Sequence, residues 1–165
     1  MGDLTVKARG SPVEILLVED NYGDVLLTCE AFRGARLSNN VAVASDGEEA
    51  LSMLRREERF IDQLRPDLIF LDLNLPCLGG RDVLEAIKID PALNRIPVII
   101  LTSSKADSDI LKSYELGANG YIVKPVAFER LQEIVASIES FWFEIVVLAP
   151  RPGSSGAMRP SEARE

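Results

Sequence analysis

Histidine is absent from this sequence, and its absence excludes several classes of enzyme chemistry. Histidine is the commonest general base in active sites and the commonest neutral metal ligand. Nucleophilic mechanisms that pair a serine or a cysteine with a histidine base are therefore excluded. Any chemistry that the chain performs must use carboxylates, hydroxyls, lysine and a metal ion.

Cysteine, long apolar runs and net positive charge are also scarce or missing. Two cysteines in 165 residues do not make a disulfide framework, which is typical of a protein from a reducing cytosol. No apolar run approaches the length, roughly 20 residues, that spans a bilayer, and nothing before Val13 resembles a secretory signal. Because 26 acidic residues outnumber 18 basic ones, binding of nucleic acid through a basic face is not expected. We therefore expect a soluble cytoplasmic protein.

The length and composition indicate one globular domain. At 165 residues, of which 47% are apolar, the chain is long enough to bury a hydrophobic core. We expect the domain to span residues 12–149, after an N-terminal extension of residues 1–11. Residues 150–165 are predicted to be disordered, because they combine proline, glycine, serine and charged residues without periodicity.

Short apolar segments alternate with amphipathic ones along the domain. Five apolar segments are predicted strands: residues 13–19, 41–44, 67–73, 97–102 and 120–125. Their largely unbroken hydrophobicity is typical of strands that are buried on both faces of a parallel sheet. Because parallel neighbours need helical crossovers, the alternation predicts an α/β fold, a doubly wound five-stranded parallel sheet with five helices.

The helical segments carry more detailed expectations. In the first helix, four apolar residues at helical spacing are predicted to face the core: Val25, Leu26, Cys29 and Phe32. Asp46 is predicted to be the N-cap of the second helix. Residues 56–67 lengthen the connection after that helix, and we expect them to form an additional short helix and a loop.

Polar residues follow the predicted strands at the edge where a doubly wound sheet carries its reactive groups. They are Glu19 and Asp20 after the first strand, Asp72 after the third, Thr102 at the end of the fourth and Lys124 at the end of the fifth. Two carboxylates about 4 Å apart repel by roughly 4 kcal/mol at an effective dielectric constant near 20. A hard divalent cation such as Mg²⁺ relieves that repulsion. Since a hydroxyl and a lysine suit a tetrahedral oxyanion, the set predicts a magnesium-dependent site that handles phosphoryl groups.

Four segments of the chain resemble the signature segments of the receiver domain of bacterial two-component response regulators. They are ILLVEDN, FLDLNLP, VIILTSS and GYIVKP, and the resemblance extends over about residues 13 to 140. It implies a flavodoxin-like sheet with the strand order 2-1-3-4-5. It also implies that Asp72 is the phosphoacceptor and takes its phosphoryl group from a phosphohistidine on a sensor histidine kinase.

The same resemblance implies the metal ligands. Glu19, Asp20, Asp72 and the backbone carbonyl of Asn74 would hold Mg²⁺. The acidic pair is Glu-Asp here instead of the Asp-Asp pair that many members of the family carry. This is a common variant, and we expect it to leave magnesium binding intact.

Further roles around the phosphoryl group are implied in the same way. Lys124 would pair with the phosphoryl oxygens, and the peptide bond between Lys124 and Pro125 would be cis. Thr102 would move toward the phosphoryl group, and Tyr121 would turn inward behind it. Together these two residues would form the switch that reports phosphorylation.

Two positions that tune loss of the phosphoryl group in the family are Asn74 and Ser104 in this chain. They stand two residues beyond the phosphoacceptor and two residues beyond Thr102. An asparagine can help to orient a water molecule, but Ser104 offers neither an acid nor an amide. We therefore expect moderate or slow autodephosphorylation, and no activity as a dedicated enzyme.

A second resemblance narrows the pathway. VEDNYGDVLLTCEAF, the lengthened connection and the ending ESFWFEIVVLAP are similar to segments of the single-domain regulators that are paired with bacterial and cyanobacterial phytochromes. The sensor kinase is then expected to be of the phytochrome type. Only 15 residues follow Pro150, too few for a DNA-binding domain, so we expect a stand-alone regulator whose output is protein interaction.

Two other functions compete with this interpretation. An aspartyl-phosphate hydrolase of the haloacid dehalogenase type is suggested by FLDLNL, but such phosphatases have an acid where this chain has Asn74. A receiver-like binding module that never takes phosphate is the other alternative. Loss of the acids or of the lysine would indicate such a module, and all of them are present in this chain.

The end of the fifth helix predicts self-association. A second apolar stripe runs beside the stripe that packs on the sheet, and FWFEIVVLA is apolar almost all round. We expect a two-fold homodimer through the fourth helix, fifth strand and fifth helix. The residues expected near its centre are Phe141, Phe143, Ile145 and Val146. The competing expectation is that this segment folds back over its own domain.

Overall fold

A five-stranded parallel sheet forms the centre of the protein, whose computed structural model describes residues 12–124 and 126–145, the side chains of residues 144 and 145 excepted. The strands are β1 (Val13–Val18), β2 (Asn39–Ala44), β3 (Leu68–Leu71), β4 (Val98–Thr102) and β5 (Gly120–Val123). Their order in the sheet is β2-β1-β3-β4-β5, and every pair of neighbours is parallel. The predicted fold class and strand order are confirmed.

Helices connect the strands in the predicted alternation. They are α1 (Tyr22–Arg33), α2 (Gly47–Arg55), α3 (Gly80–Ile89), α4 (Asp107–Glu115) and α5 (Phe128–Ile138). A 3-10 helix, Glu58–Phe60, lies in the lengthened connection after α2, and a π-helical segment, Glu139–Ile145, continues α5. The predicted extension of residues 1–11 and the predicted tail of residues 150–165 lie outside the described residues. Within the described ranges, no helix has the length and apolarity that crossing a membrane requires.

Side chains of the strands alternate between two hydrophobic cores, one on each face of the sheet. On β1, Leu16 and Val18 join the core beneath α2 and α3, whereas Ile15 and Leu17 join the core beneath α1 and α5. All residues of β3 and β4 are buried, as predicted for strands that are covered on both faces. The edge strands β2 and β5 are mostly half-buried, because each has a neighbour on one side only.

The first helix differs from its predicted orientation at one position. Phe32 is buried and packs edge-to-face on Phe70 with the ring centroids 5.6 Å apart, as expected for a core residue. Leu26, also predicted to face the core, is 51% exposed. It lies four residues after Tyr22, which is 75% exposed, so the two share the solvent side of α1. The spacing of apolar residues along α1 did not distinguish this exposed stripe from the stripe that packs on the sheet.

The start of α2 confirms the predicted cap. The carboxylate of Asp46 accepts a hydrogen bond from the backbone N–H of Glu49 at 2.8 Å. In return, the carboxylate of Glu49 accepts the backbone N–H of Ser45 at 2.9 Å. This reciprocal pair satisfies two backbone donors at the helix end and fixes the point at which α2 leaves β2.

The segment after α5 is attached to its own domain. Glu139 is buried, and its carboxylate accepts the backbone N–H groups of Arg36 and Leu37 at 3.3 and 2.8 Å. Trp142 and Phe143 pack partly against the core beneath α1 and α5. Glu139, Trp142 and Phe143 therefore fold back on their own domain, which was the expectation that competed with self-association. Phe141 remains 52% exposed.

Helix α3 begins directly against the chain that leaves β3. The backbone N–H of Gly80 donates to the carbonyl of Leu73 at 3.1 Å. A Cβ atom at position 80 would lie 2.2 Å from the carbonyl oxygen of Asp72 and 2.6 Å from the Cα of Leu73. Only glycine permits this approach, which fixes the backbone at the end of β3.

Replacing Gly80 with alanine should therefore lower the free energy of unfolding by about 3 kcal/mol, because backbone atoms must move to admit the methyl group. Gly79→Ala is the matched control, since a Cβ at position 79 meets its nearest neighbour, Asp82 Oδ2, at an ordinary 3.8 Å. We expect the control to cost less than about 1 kcal/mol. Urea unfolding followed by circular dichroism measures both, and equal losses in the two variants would contradict the prediction.

Candidate functional site

The predicted site residues meet at the carboxyl edge of the sheet. Parallel pairing continues one residue beyond three of the strands and places their polar side chains. The backbone N–H of Glu19 donates to the carbonyl of Ala44 at 3.0 Å, and the backbone N–H of Asp72 donates to the carbonyl of Val18 at 3.0 Å. The N–H of Lys124 donates to the carbonyl of Thr102 at 2.7 Å. The sheet itself therefore brings the ends of β1, β3, β4 and β5 together.

Three carboxylates form a cluster at this edge. Glu19, Asp20 and Asp72 each contribute an oxygen, and these oxygens lie within 4.8 Å of one another. Glu19 is only 2% exposed and Asp72 only 6%, whereas Asp20 is exposed. Two acids at this depth beside a third that faces solvent suit a hard cation that keeps part of its water shell.

Lys124 provides the positive charge inside the cluster. Its ammonium group forms ion pairs with Glu19, with Asp24 at 2.9 Å and with Asp72 at 3.1 Å. Burial lowers the pKa of Lys124, but its hydrogen bonds to Glu19 and Asp24 and the charge of Asp72 outweigh burial and hold the pKa above its usual value. Lys124 is therefore a permanent cation at neutral pH.

The two buried acids respond to this surrounding in opposite ways. Burial raises the pKa of Glu19 to about 7, against the hydrogen bonds from Lys124 and from the backbone N–H of Asn21. Burial also raises the pKa of Asp72, but the backbone N–H of Asn74, at 3.0 Å, and the charge of Lys124 outweigh it. The pKa of Asp72 consequently lies below its usual value, and this carboxylate is ionised at neutral pH.

Asn74 connects the loop after β3 with the end of β4. Besides its backbone N–H, its side-chain amide donates to the hydroxyls of Thr102 and Ser103, each at 3.3 Å. Thr102 is fully buried and lies beside the carboxylate of Asp72. The backbone N–H of Asn74 thus binds the carboxylate of Asp72, and its side-chain amide binds the hydroxyl of Thr102, the predicted switch residue.

The second predicted switch residue lies one step further from the carboxylate. Tyr121 is half-buried on β5, and its hydroxyl donates to the backbone carbonyl of Ser104 at 3.0 Å. It therefore contacts the loop that begins at Thr102. The predicted cis bond between Lys124 and Pro125 involves a residue outside the described ranges.

One member of the site was missed by the sequence reasoning. Asp24 lies in the first turn of α1 and forms an ion pair with Lys124 from there. Its position five residues after Glu19, just past the end of β1, is the signal that could have identified it. The edge therefore presents an ionised carboxylate, further acids, a lysine and a hydroxyl, which suits transfer of a phosphoryl group to Asp72.

Comparison with known proteins adds independent information. The sequence matches the family described as response regulator receiver domain over residues 15–136. Response regulator Rcp1 from Synechocystis sp. is 42% identical over 137 residues, which cover 83% of this chain and 93% of Rcp1. The chain is also similar to the phosphorylated cyanobacterial phytochrome response regulator RcpA, whose crystal structure superposes with a TM-score of 0.79. The two sequences are 44% identical over a match that covers 85% of this chain and 100% of RcpA. The Mn²⁺-bound form of Rcp1 is 41% identical with a TM-score of 0.77, covering 84% and 100% of the two chains.

The carboxylate cluster predicts how this edge binds a cation. Asp20→Asn removes one of the three clustered carboxylates and should weaken Mg²⁺ binding by about tenfold or more, as measured by isothermal titration calorimetry. Glu48→Gln is the control, because it removes the same charge from an exposed acid in the first turn of α2. Screening by salt should keep the affinity of the control within about twofold of the unchanged protein. Equal losses would mean that general negative charge, and not the cluster, attracts the cation.

Proposed function

Because the chain belongs to the response regulator receiver domain family, we propose that Asp72 accepts a phosphoryl group from a phosphohistidine on a sensor histidine kinase. The observation that carries this proposal is the state of Asp72. Its carboxylate is nearly buried, yet Lys124 and the N–H of Asn74 hold its pKa below the usual value. A carboxylate that stays ionised inside a cluster of acids is a nucleophile prepared for an electrophilic phosphorus atom.

The transfer of the phosphoryl group needs no residue of this chain to act as a general base. An oxygen of Asp72 forms a bond to phosphorus while the bond between phosphorus and the histidine nitrogen breaks, and that nitrogen keeps the electron pair. Asp72 is already ionised, so it has no proton to lose. Because the chain contains no histidine, the donor must be another molecule. Lys124 neutralises negative charge as the phosphoryl oxygens approach.

We propose Mg²⁺ as the cation of the cluster, held by Glu19, Asp20, Asp72 and the backbone carbonyl of Asn74. The donor set supports this choice, since it consists of oxygen ligands and its three carboxylates each have an oxygen within 4.8 Å of the others. A divalent cation is also present in the related Rcp1, which has been described in a Mn²⁺-bound form. When bound, Mg²⁺ would supply further positive charge beside the phosphoryl oxygens.

Loss of the phosphoryl group should be moderate or slow, and we propose that the chain is a signal carrier and not a dedicated enzyme. Ser104 lacks an acid or an amide, and its hydroxyl is hydrogen-bonded to Asp109. The amide of Asn74 donates to Thr102 and Ser103 in this state. These contacts leave little with which to activate a water molecule.

The relatives favour a phytochrome as the source of the signal. RcpA is named as a phytochrome response regulator, and further similar structures are named as bacteriophytochrome response regulators. This chain is about 40% identical to these relatives over nearly their full length. We therefore propose that it likewise receives its phosphoryl group from a kinase of the phytochrome type. It would then act through protein interaction.

The signal would travel from Asp72 through Thr102 to Tyr121. New negative charge on Asp72 attracts the hydroxyl of Thr102 through a charge-assisted hydrogen bond. Since Thr102 is fully buried, its movement frees space behind it that Tyr121 can enter. The side chain of Tyr121 would then leave the carbonyl of Ser104 and change the face of α4 and β5.

We further propose that this face forms a homodimer. Exposed apolar side chains support it: Leu111 and Tyr114 on α4 are 62% and 49% exposed, and Phe141 is 52% exposed. Phe143 is half-buried against its own domain, so Phe141 contributes more apolar surface to a partner. Ile145 and Val146, which were also predicted at the interface, have side chains outside the described residues.

Asp72→Asn should abolish phosphorylation by a phosphorylated phytochrome-type kinase or by acetyl phosphate, because the nucleophilic charge is lost. Asp67→Asn is the matched control, since Asp67 is a buried acid just before β3 whereas Asp72 is a buried acid just after it. Label transfer separated on Phos-tag gels measures both. Stable label on Asp72→Asn would show that the nucleophile is another residue.

Phe141→Glu should weaken the homodimer, because a charge is then placed in an apolar interface. Ile61→Glu is the control, since Ile61 is 63% exposed beside the 3-10 helix that follows α2, and α2 follows β2, at the sheet edge opposite β5. Sedimentation equilibrium at roughly tens of micromolar protein measures association. Only monomer for the unchanged protein, both with and without beryllofluoride, would refute the dimer.

A further inference from the structure

The loop between β4 and α4 is held in place at Ser104. The hydroxyl of Ser104 donates to the carboxylate of Asp109 in the first turn of α4. Its hydroxyl oxygen accepts the backbone N–H of Ala106 at 3.4 Å, and its carbonyl accepts the hydroxyl of Tyr121 at 3.0 Å. Both the hydroxyl and the backbone carbonyl of Ser104, two residues after Thr102, are therefore hydrogen-bonded.

Asp109 extends this attachment to a second helix. The carboxylate oxygen that does not bind Ser104 forms an ion pair with Arg81, at the start of α3. The backbone carbonyl of Asp109 also accepts the hydroxyl of the buried Ser113 at 2.7 Å. We name the ion pair between Arg81 and Asp109, with the hydrogen bond between Asp109 and Ser104, the α3–α4 latch.

We propose that Arg81 and Asp109 are positioning residues of the phosphoryl switch, which hold Ser104 in its resting place through the α3–α4 latch. This inference rests on the proposed function, because it concerns movement of Thr102 toward a phosphoryl group on Asp72. Thr102 and Ser104 are separated by a single residue, so a shift of the backbone at Thr102 also displaces Ser104. The α3–α4 latch and the hydroxyl of Tyr121 oppose that movement.

The expected effect follows from linkage. A contact made only in the resting state lowers the population of the state that binds the phosphoryl group, and it weakens apparent binding by the same factor. The side chains of Arg81 and Asp109 are 46% and 25% exposed, so their pair has the modest strength of a partly solvated ion pair. Breaking the α3–α4 latch should therefore tighten binding of a phosphoryl analogue by about two- to fivefold.

The sign of the effect at Arg81 separates the latch from simple electrostatics. Removing a positive charge near an anion site weakens anion binding if charge alone acts. The α3–α4 latch predicts the opposite for Arg81→Gln, which should bind the anion more tightly. Asp109→Asn tightens binding under both explanations, so Arg81 is the decisive position.

The experiment measures binding of beryllofluoride, a mimic of the phosphoryl group, in saturating Mg²⁺ by isothermal titration calorimetry. Arg81→Gln, Asp109→Asn and Ser104→Ala should each gain about two- to fivefold in affinity. The double variant of Arg81 and Asp109 should gain no more than the better single variant, because both changes break one pair. Arg59→Gln is the control: it removes an equal charge from a pair with Glu49 beside α2, and its affinity should not rise.

Each result decides between the explanations. Weaker or unchanged binding by Arg81→Gln would overturn the α3–α4 latch while leaving the proposed function intact. If Arg81→Gln does not fold, Ser104→Ala provides the same test without a change of charge. Absence of beryllofluoride binding by the unchanged protein would overturn the proposed function together with the latch.

Discussion

The ammonium group of Lys124 lies between the carboxylates of Glu19, Asp24 and Asp72, and the functional edge of the sheet depends on it. Two of these acids are almost fully buried. Leaving a buried charge without its partner typically costs about 3–5 kcal/mol, so a cation placed between two neighbouring buried acids stabilises their charged forms. The ionised state of Asp72 follows from the backbone N–H of Asn74 together with this lysine at the end of β5. The same group compensates Glu19 only in part, since burial still raises the pKa of that carboxyl above its usual value.

Much of the fold and of this edge could be predicted from the sequence because both follow from local patterns. Uninterrupted apolar runs identify strands covered on two faces, and the fully buried residues of β3 and β4 agree with that interpretation. Parallel strands end at one edge, so Asp72 and Lys124 were expected at the same edge once the strands were assigned. The strand order, which sets their separation, came from the resemblance to receiver domains. The N-cap at Asp46 was equally local, since a cap depends only on the residues that follow it.

What the sequence did not reveal depends on how the helices are rotated and where they lie. Leu26 has the spacing of a core residue but faces solvent, because the rotation of α1 is set by Phe32 and its neighbours packing on the sheet. The ion pair between Arg81 and Asp109 joins residues 28 positions apart on separate helices, and no periodicity relates them. Likewise, Glu139 appears as an ordinary charged residue in the sequence, although its carboxylate is buried against the backbone of Arg36 and Leu37.

The attachment of Glu139 also fixes where the segment after α5 lies relative to the carboxylate cluster. Arg36 and Leu37 precede β2, so the segment after α5 is anchored at the amino edge of the sheet, while Asp72 lies at the carboxyl edge. The 11 residues of α5 span about 16 Å between these two edges. The anchored segment and the carboxylate cluster therefore lie at opposite edges of the sheet. A contact made at one of these edges does not cover the other, so the fold offers two separate contact surfaces at opposite ends of its sheet.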